Sequence, residues 1–260
     1  VIDFKDIELY LLDMDGTIYI ENELIEKAVD FIEKIIARNK KYVFLSNNSS
    51  INKKDYLNKL ADMGIPCEPE NIFSSGLAAG FFLSRKRKGK KVYLVGTEAL
   101  AAELSEYGIV TTVNDPDIVL VGFDRELTYQ KLEKACMFLD NGAEFIATNP
   151  DLLYPVKNGR YIPDCGSICQ MLTVATGKKP FYIGKPNRYI IDLLIEKTGT
   201  SPEKTVLIGD RLYTDIAAGI NAGIASVLVL SGETDMQMLS ESPHKPDMVA
   251  RSVKDLIELL

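Results

Sequence analysis

Four short apolar runs in this chain each stop at a residue able to do chemistry. IELYLL (7–12) stops at Asp13, KYVFL (41–45) at Ser46, FYI (181–183) at Gly184-Lys185-Pro186, and TVLI (205–208) at Gly209-Asp210. Amphipathic stretches lie between them. Residues 26–39 carry apolar side chains at Ala28, Val29, Ile32, Ile35 and Ile36, the spacing of a helix face. Helices are predicted likewise over 53–63, 188–198 and 214–222, ended by Gly64, Gly199 and Gly223. A last strand (226–230) and a short helix (254–260) close the chain. Continuous apolar strands alternating with helices predict an α/β fold with a parallel sheet covered on both faces. In an open parallel sheet, ligands sit in the crevice beyond the carboxyl ends of the strands. The four polar stops therefore converge on one edge, although they are far apart in sequence.

The middle of the chain has a rhythm of its own. Apolar runs at 91–96, 117–123 and 144–148 alternate with helical patterns near 98–107 and 128–140. A long polar stretch (151–166) and a helix near 167–176 follow. This predicts one α/β domain inserted into another, with strand 181–183 belonging to the outer sheet. The expected division is 1–77 and 181–260 for a Rossmann-like core and 78–180 for the insert.

Composition narrows the function. The net charge is −7, so non-specific binding to nucleic acid or an anionic membrane surface is disfavoured. The basic run Arg85 to Lys91 is read as a solvated helix end and loop, because no aromatics interleave with it. No N-terminal signal pattern and no apolar run of membrane-spanning length is present, which leads us to expect a cytoplasmic protein. Cys67, Cys136, Cys165 and Cys169 show no CxxC spacing, and Cys165 and Cys169, one helical turn apart, are read as small, partly buried residues rather than a metal or redox pair. With His244 as the single histidine, triads and zinc sites built on histidine are excluded, and catalysis must run on carboxylates, hydroxyls and lysine.

The sharpest element is Asp13-Met14-Asp15-Gly16-Thr17. Two carboxylates two residues apart, directly after a buried strand, face one small volume. A divalent cation would relieve their repulsion, and an all-oxygen ligand set makes Mg²⁺ the default. Gly16 allows close backbone approach, with its N–H free to point at an anion. Asp210, in Gly209-Asp210-Arg211-Leu212-Tyr213-Thr214-Asp215, would complete the metal site. Asp215 would either support that metal shell or hold Lys185. Lys185 supplies the counter-charge that a phosphate beside several carboxylates requires. Ser46-Asn47-Asn48-Ser49 adds a hydroxyl and further donors.

With DMDGT, LSNNS, GKPN and GDRLYTD in this order, the chain resembles haloacid dehalogenase superfamily phosphatases. It is most similar to their NagD-type, p-nitrophenylphosphatase-like branch, in which a large α/β cap is inserted between the second and third motifs. ATNPD (147–151), CGSIC (165–169) and KPFYIGKPN (179–187) strengthen that likeness. Ser46 departs from the threonine found in many members but keeps the hydroxyl.

The resemblance implies that Asp13 is the nucleophile and forms an aspartyl-phosphate, ionised at neutral pH without an activating base. It implies that Asp15 protonates the leaving group and then activates water, with its pKa raised for that task. Mg²⁺ would be bound by Asp13, the Asp15 carbonyl and Asp210. Ser46, Lys185 and backbone N–H groups near Met14, Gly16 and Asn47 would cradle the phosphoryl oxygens, with Arg211, Leu212, Tyr213 and Thr214 beside the substrate. The expected substrate is a small phosphomonoester, and the expected assembly a monomer or homodimer. A phosphomutase of the same superfamily and a phospho-accepting receiver domain are the alternatives. A receiver is about half this length, and its lysine comes last.

Overall fold

The computed structural model describes residues 2–156 and 160–260. The chain divides into two compact units, one of Val1–Ser46, Tyr56–Phe73 and Lys185–Leu260, the other of Asn47–Asp55 and Ser74–Gly184.

The first unit is built on a six-stranded sheet. Its order is Met248–Ala250, Ala225–Val229, Thr205–Gly209, Leu9–Leu12, Lys41–Ser46, Ile72–Ser74. The first five strands run parallel. Every residue of Leu9–Leu12 and of Thr205–Gly209 is buried, as expected for central strands covered on both faces. The helix Ala28–Ala37 buries Ala28, Phe31, Ile32 and Ile35, one stripe of its surface, and leaves Ile36 exposed. The two outermost strands are three residues long, too short to show a periodic pattern in sequence. The predicted helix over 214–222 is instead a π-helical turn, Leu212–Ile216, running into a short α-helix, Ala217–Ala222, that ends at left-handed Gly223. The predicted C-terminal helix is a 3₁₀ segment, Val253–Leu259.

The second unit carries a four-stranded parallel sheet, ordered Phe181–Tyr182, Glu144–Ala147, Ile118–Val121, Val92–Val95. Its core joins Val95, Val119, Val121, Phe123, Leu139 and Phe145 to Cys165 and Cys169 on the helix Cys165–Thr176. All four cysteines are free thiols. The basic run is the largely exposed end of the helix Ser75–Lys86 and the loop after it, and it carries two ion pairs. Arg87 makes a bidentate pair with Glu144, both contacts at 2.7 Å, and Lys90 pairs with Asp117 at 2.9 Å. No helix among the described residues is long and apolar enough to cross a membrane.

Two expectations change here. The run at 181–183 does not join the outer sheet, because Phe181 and Tyr182 pair with Ile146 and Ala147 as an edge strand of the second unit. The junctions fall at 73/74 and 184/185, and residues 47–55 belong with the second unit. The first junction is set by Ser74, whose hydroxyl accepts the Leu77 N–H at 3.1 Å and caps the helix Ser75–Lys86. Within the polar stretch, Leu153–Val156 and Arg160–Pro163 form an antiparallel ribbon, and residues 157–159 of that stretch lie outside the described residues.

Of the helix Ser75–Lys86 the sequence predicts only the basic end, not the extent. Gly76 and Gly80 lower its intrinsic helicity. Packing explains their presence, because a Cβ at Gly80 would lie 2.4 Å from the Tyr107 ring, at the end of the helix Glu98–Glu106. Gly80→Ala is expected to lower stability by about 1–3 kcal/mol through overpacking, despite its better helix propensity. Thermal unfolding checks this, and an unchanged or higher Tm would show that the ring moves aside freely.

Candidate active site

Strand register builds the site in the first unit. Leu12 pairs with Ile208 on one side and Phe44 on the other. Asp13 therefore stands beside Gly209 and Leu45, and Asp210 and Ser46 follow one position later. The Asp13 N–H donates to the Ile208 carbonyl at 2.9 Å, continuing the ladder to the sheet's edge. The backbone then curls, with the Met14 carbonyl accepting from the N–H groups of Thr17, Ile18 and Tyr19 at 2.9–3.2 Å. Gly16 takes a left-handed φ of 87°, which permits that curl. Its N–H donates to the Tyr19 carbonyl at 2.7 Å, so it is spent on the turn rather than left to meet an anion.

One ammonium ties the acids together. Lys185 is almost fully buried, and its Nζ donates to Asp13 Oδ1 at 2.6 Å, to Asp215 Oδ1 at 2.7 Å and to the Leu45 carbonyl at 3.0 Å. Asp215 also accepts the Arg211 N–H on Oδ2 at 3.0 Å. One carboxylate atom each from Asp13, Asp210 and Asp215 lies within 4.8 Å of the others. Asp210 accepts the Glu233 N–H on Oδ2 at 2.7 Å, while its Oδ1 is buried without a hydrogen-bond partner. The donors are all oxygens, and one of them lacks the partner that a buried carboxylate oxygen needs. A hard divalent cation fits this set.

Burial dominates the electrostatics. It pushes Asp13 up to about 7, against the pull of Lys185 and with added repulsion from Asp215. It also holds Asp210 well above the ordinary carboxylate range, reinforced by Asp13 and Asp215. Asp15 is raised by burial as well, with Lys59, Arg211 and Lys185 opposing. Burial works against the charge on Lys185, but the carboxylates of Asp13 and Asp215 outweigh it and hold the ammonium above its usual value. The expectation that Asp13 is ionised at neutral pH without help is corrected accordingly: in this protein it depends on positive charge beside it.

The remaining sequence-predicted residues fall into distinct places. Ser46 shares a 3.0 Å hydroxyl–hydroxyl bond with buried Tyr56. Asn47 belongs to the second unit, where its Nδ2 donates to Asp151 Oδ2 at 2.7 Å. Arg211 pairs with Glu233 at 2.9 Å, and the half-exposed Tyr213 donates its hydroxyl to Glu233 at 3.4 Å. Leu212 turns into an apolar cluster with Ile216 and Leu228, and Thr214 is buried. Asp215 holds Lys185 and also lies in the acidic cluster, so its two anticipated roles coincide. Sequence reasoning missed Tyr56 and the Ser231–Glu233 turn. The turn carried a readable signal, since it follows the strand Ala225–Val229 as Asp13 follows Leu9–Leu12.

The haloacid dehalogenase-like hydrolase family model matches residues 10–110, and a second, HAD-hydrolase-like model matches residues 182–256. The chain is 36% identical to the 5'-nucleotidase YutF of Bacillus subtilis, covering 95% of this chain and 96% of that one. It is equally 36% identical to the ribonucleotide monophosphatase NagD of Escherichia coli, with the same coverage of each. The solved structure of 4-nitrophenylphosphatase from Thermotoga maritima superimposes with a TM-score of 0.95 at 39% identity, covering 99% of both chains.

Removing the shared ammonium tests the charge balance. Lys185→Met is expected to cost about 3–5 kcal/mol, the usual penalty for leaving buried charge unpaired. Lys185 stabilises only carboxylates that are ionised, so the loss should be larger at pH 8 than at pH 5, where burial lets Asp13 take up its proton. Denaturant unfolding at the two pH values checks this, and equal losses would reduce Lys185 to a packing residue.

Proposed function

The chain belongs to the haloacid dehalogenase-like hydrolases, and from that premise we propose that it is a Mg²⁺-dependent phosphatase of small phosphomonoesters. The observation that carries the reading is the buried cluster of Asp13, Asp210 and Asp215 around Lys185. Asp15 stands two residues beyond the nucleophile position and is not one of the clustered acids. The names of the relatives describe phosphatases of nucleotides and of 4-nitrophenyl phosphate, which supports the same reaction class here.

Asp13 attacks the phosphorus through a carboxylate oxygen. The bond from phosphorus to the leaving oxygen breaks, and an aspartyl-phosphate forms on Asp13. Lys185 favours the ionised form of Asp13 and orients it, because its ammonium sits 2.6 Å from Oδ1. Asp13, Asp210 and the Asp15 carbonyl would hold Mg²⁺, which when bound supplies positive charge against the carboxylates and the phosphoryl oxygens. Asp15 gives its proton to the leaving alkoxide. It then takes one from the water that cleaves the aspartyl-phosphate, releasing phosphate and restoring Asp13. Burial holds its pKa above the ordinary carboxylate value, the direction that an acid holding a proton near neutrality requires. Ser46, its hydroxyl aligned by Tyr56, contributes a hydrogen bond to the phosphoryl oxygens.

A panel of phosphomonoesters that includes 4-nitrophenyl phosphate and nucleoside monophosphates, assayed for phosphate release with and without EDTA, tests the reading. Release that EDTA abolishes and Mg²⁺ restores is expected. Isomerised product without free phosphate would make the protein a mutase, and a stable phosphoprotein without turnover would make it a receiver. Asp13→Asn should abolish release, and retention of the wild-type rate would remove Asp13 as nucleophile. Asp15→Asn should keep binding a phosphate analogue such as vanadate while turning over at least ~10²-fold more slowly. An unchanged kcat would move the acid role elsewhere.

A further inference from the structure

The geometry points to the turn Ser231-Gly232-Glu233 as a positioning element of the metal site, one that locks Asp210 so that Oδ1 is the oxygen it offers. This inference rests on the Mg²⁺ reading above. The turn follows the strand Ala225–Val229, the parallel neighbour of Thr205–Gly209. Four observations carry the assignment. The first is the Glu233 N–H, which donates to Asp210 Oδ2 at 2.7 Å. A backbone donor has no rotamers, so it fixes that oxygen in direction as well as distance.

The second is the lack of a side chain at Gly232. A Cβ there would lie 2.0 Å from Asp210 Oδ2 and 2.5 Å from Cγ. On the opposite loop, a Cβ at Gly16 would lie 2.4 Å from the same oxygen and 3.1 Å from the Gly232 Cα. The carboxylate is thus gripped between two bare stretches of backbone. The third contact closes the grip, because the Ser231 hydroxyl donates to the Gly16 carbonyl at 2.7 Å and ties the turn to the nucleophile loop. The Arg211–Glu233 ion pair at 2.9 Å ties it to the residue after Asp210.

The consequence falls on Oδ1. With Oδ2 held, the carboxylate cannot rotate to share both oxygens with the cation. Oδ1 stays buried with no hydrogen-bond partner, beside the acids of Asp13 and Asp215. Mg²⁺ demands near-octahedral geometry, which a single oriented oxygen suits better than a swinging carboxylate. Partners that orient a metal-binding side chain are worth about 10–100-fold in metal affinity.

Isothermal titration of Mg²⁺ into wild-type, Gly232→Ala and Ser231→Ala proteins, without substrate, tests the inference. Gly232→Ala places a methyl group in the space of Asp210 Oδ2, and it should weaken Mg²⁺ binding by about 10–100-fold. Ser231→Ala removes only the tether to Gly16 and should weaken it severalfold, with little change in Tm. If Gly232→Ala does not fold, Ser231→Ala decides alone. Variants that fold and bind Mg²⁺ within twofold of wild type overturn the inference and leave the metal reading intact. A wild-type protein that binds no Mg²⁺ overturns both.

Discussion

Carboxylates buried this close together repel one another, and everything else in the site answers that repulsion. Asp13, Asp210 and Asp215 each bring an oxygen within 4.8 Å of the others. Two charges at ~4 Å cost ~4 kcal/mol at an effective dielectric of ~20. Lys185 offsets part of this by bonding to two of the three acids. It makes no ion pair with Asp210, where Arg211 offsets burial only in part, and burial raises the pKa of both Asp210 and Asp13. A site with three acids and one shared ammonium is short of positive charge by construction. A cation would supply what is missing, and the all-oxygen donor set would favour a hard one.

Asp13 and Asp15 show how neighbours divide two identical side chains. Both are raised by burial. Asp13 has an ammonium in direct contact, and a cation in the cluster would add to it. Asp15 has positive charge only at longer range, first from Lys59, whose Nζ rests 4.0 Å above the Tyr19 ring. Adding a cation to the cluster therefore favours the ionised form of Asp13 most strongly, the requirement for a nucleophile. Asp15 lies outside the cluster, so such a cation would act on it less directly, and burial would still favour its protonated form. The separation follows from where the strand ends and the turn begins.

Much of this was legible because parallel sheets leave a direct trace. Unbroken apolar runs such as IELYLL and TVLI read as central strands, and the register then delivers Asp13 and Asp210 to one edge. The less legible parts obey packing rather than periodicity. The helix Ser75–Lys86 hides behind two glycines that packing requires, Gly80 against the Tyr107 ring and Gly76 against Glu103, and Phe181–Tyr182 is too short for sequence to choose its sheet. The side-chain amide of Asn47 donates to Asp151, more than a hundred residues away, a contact that sequence spacing does not reveal. The altered ionisation of Asp13 was invisible for the same reason, since burial depth is a property of the folded chain.

Glycine placement around the acids shows how the fold tolerates them. A Cβ at Gly209 would lie 2.3 Å from the carboxylate carbon of Asp215, just as side chains at Gly16 and Gly232 would strike Asp210. Bare backbone lets each acid lie close enough to accept an N–H: Arg211 donates to Asp215, and Glu233 to Asp210. Those bonds satisfy one oxygen of each buried carboxylate, which lowers the cost of desolvating it. What they leave unsatisfied is as telling. Lys185 completes Asp215, whereas Oδ1 of Asp210 has nothing. An acid enclosed this tightly, with one oxygen lacking a donor in a cluster already short of positive charge, is the physical basis of the cation site proposed here.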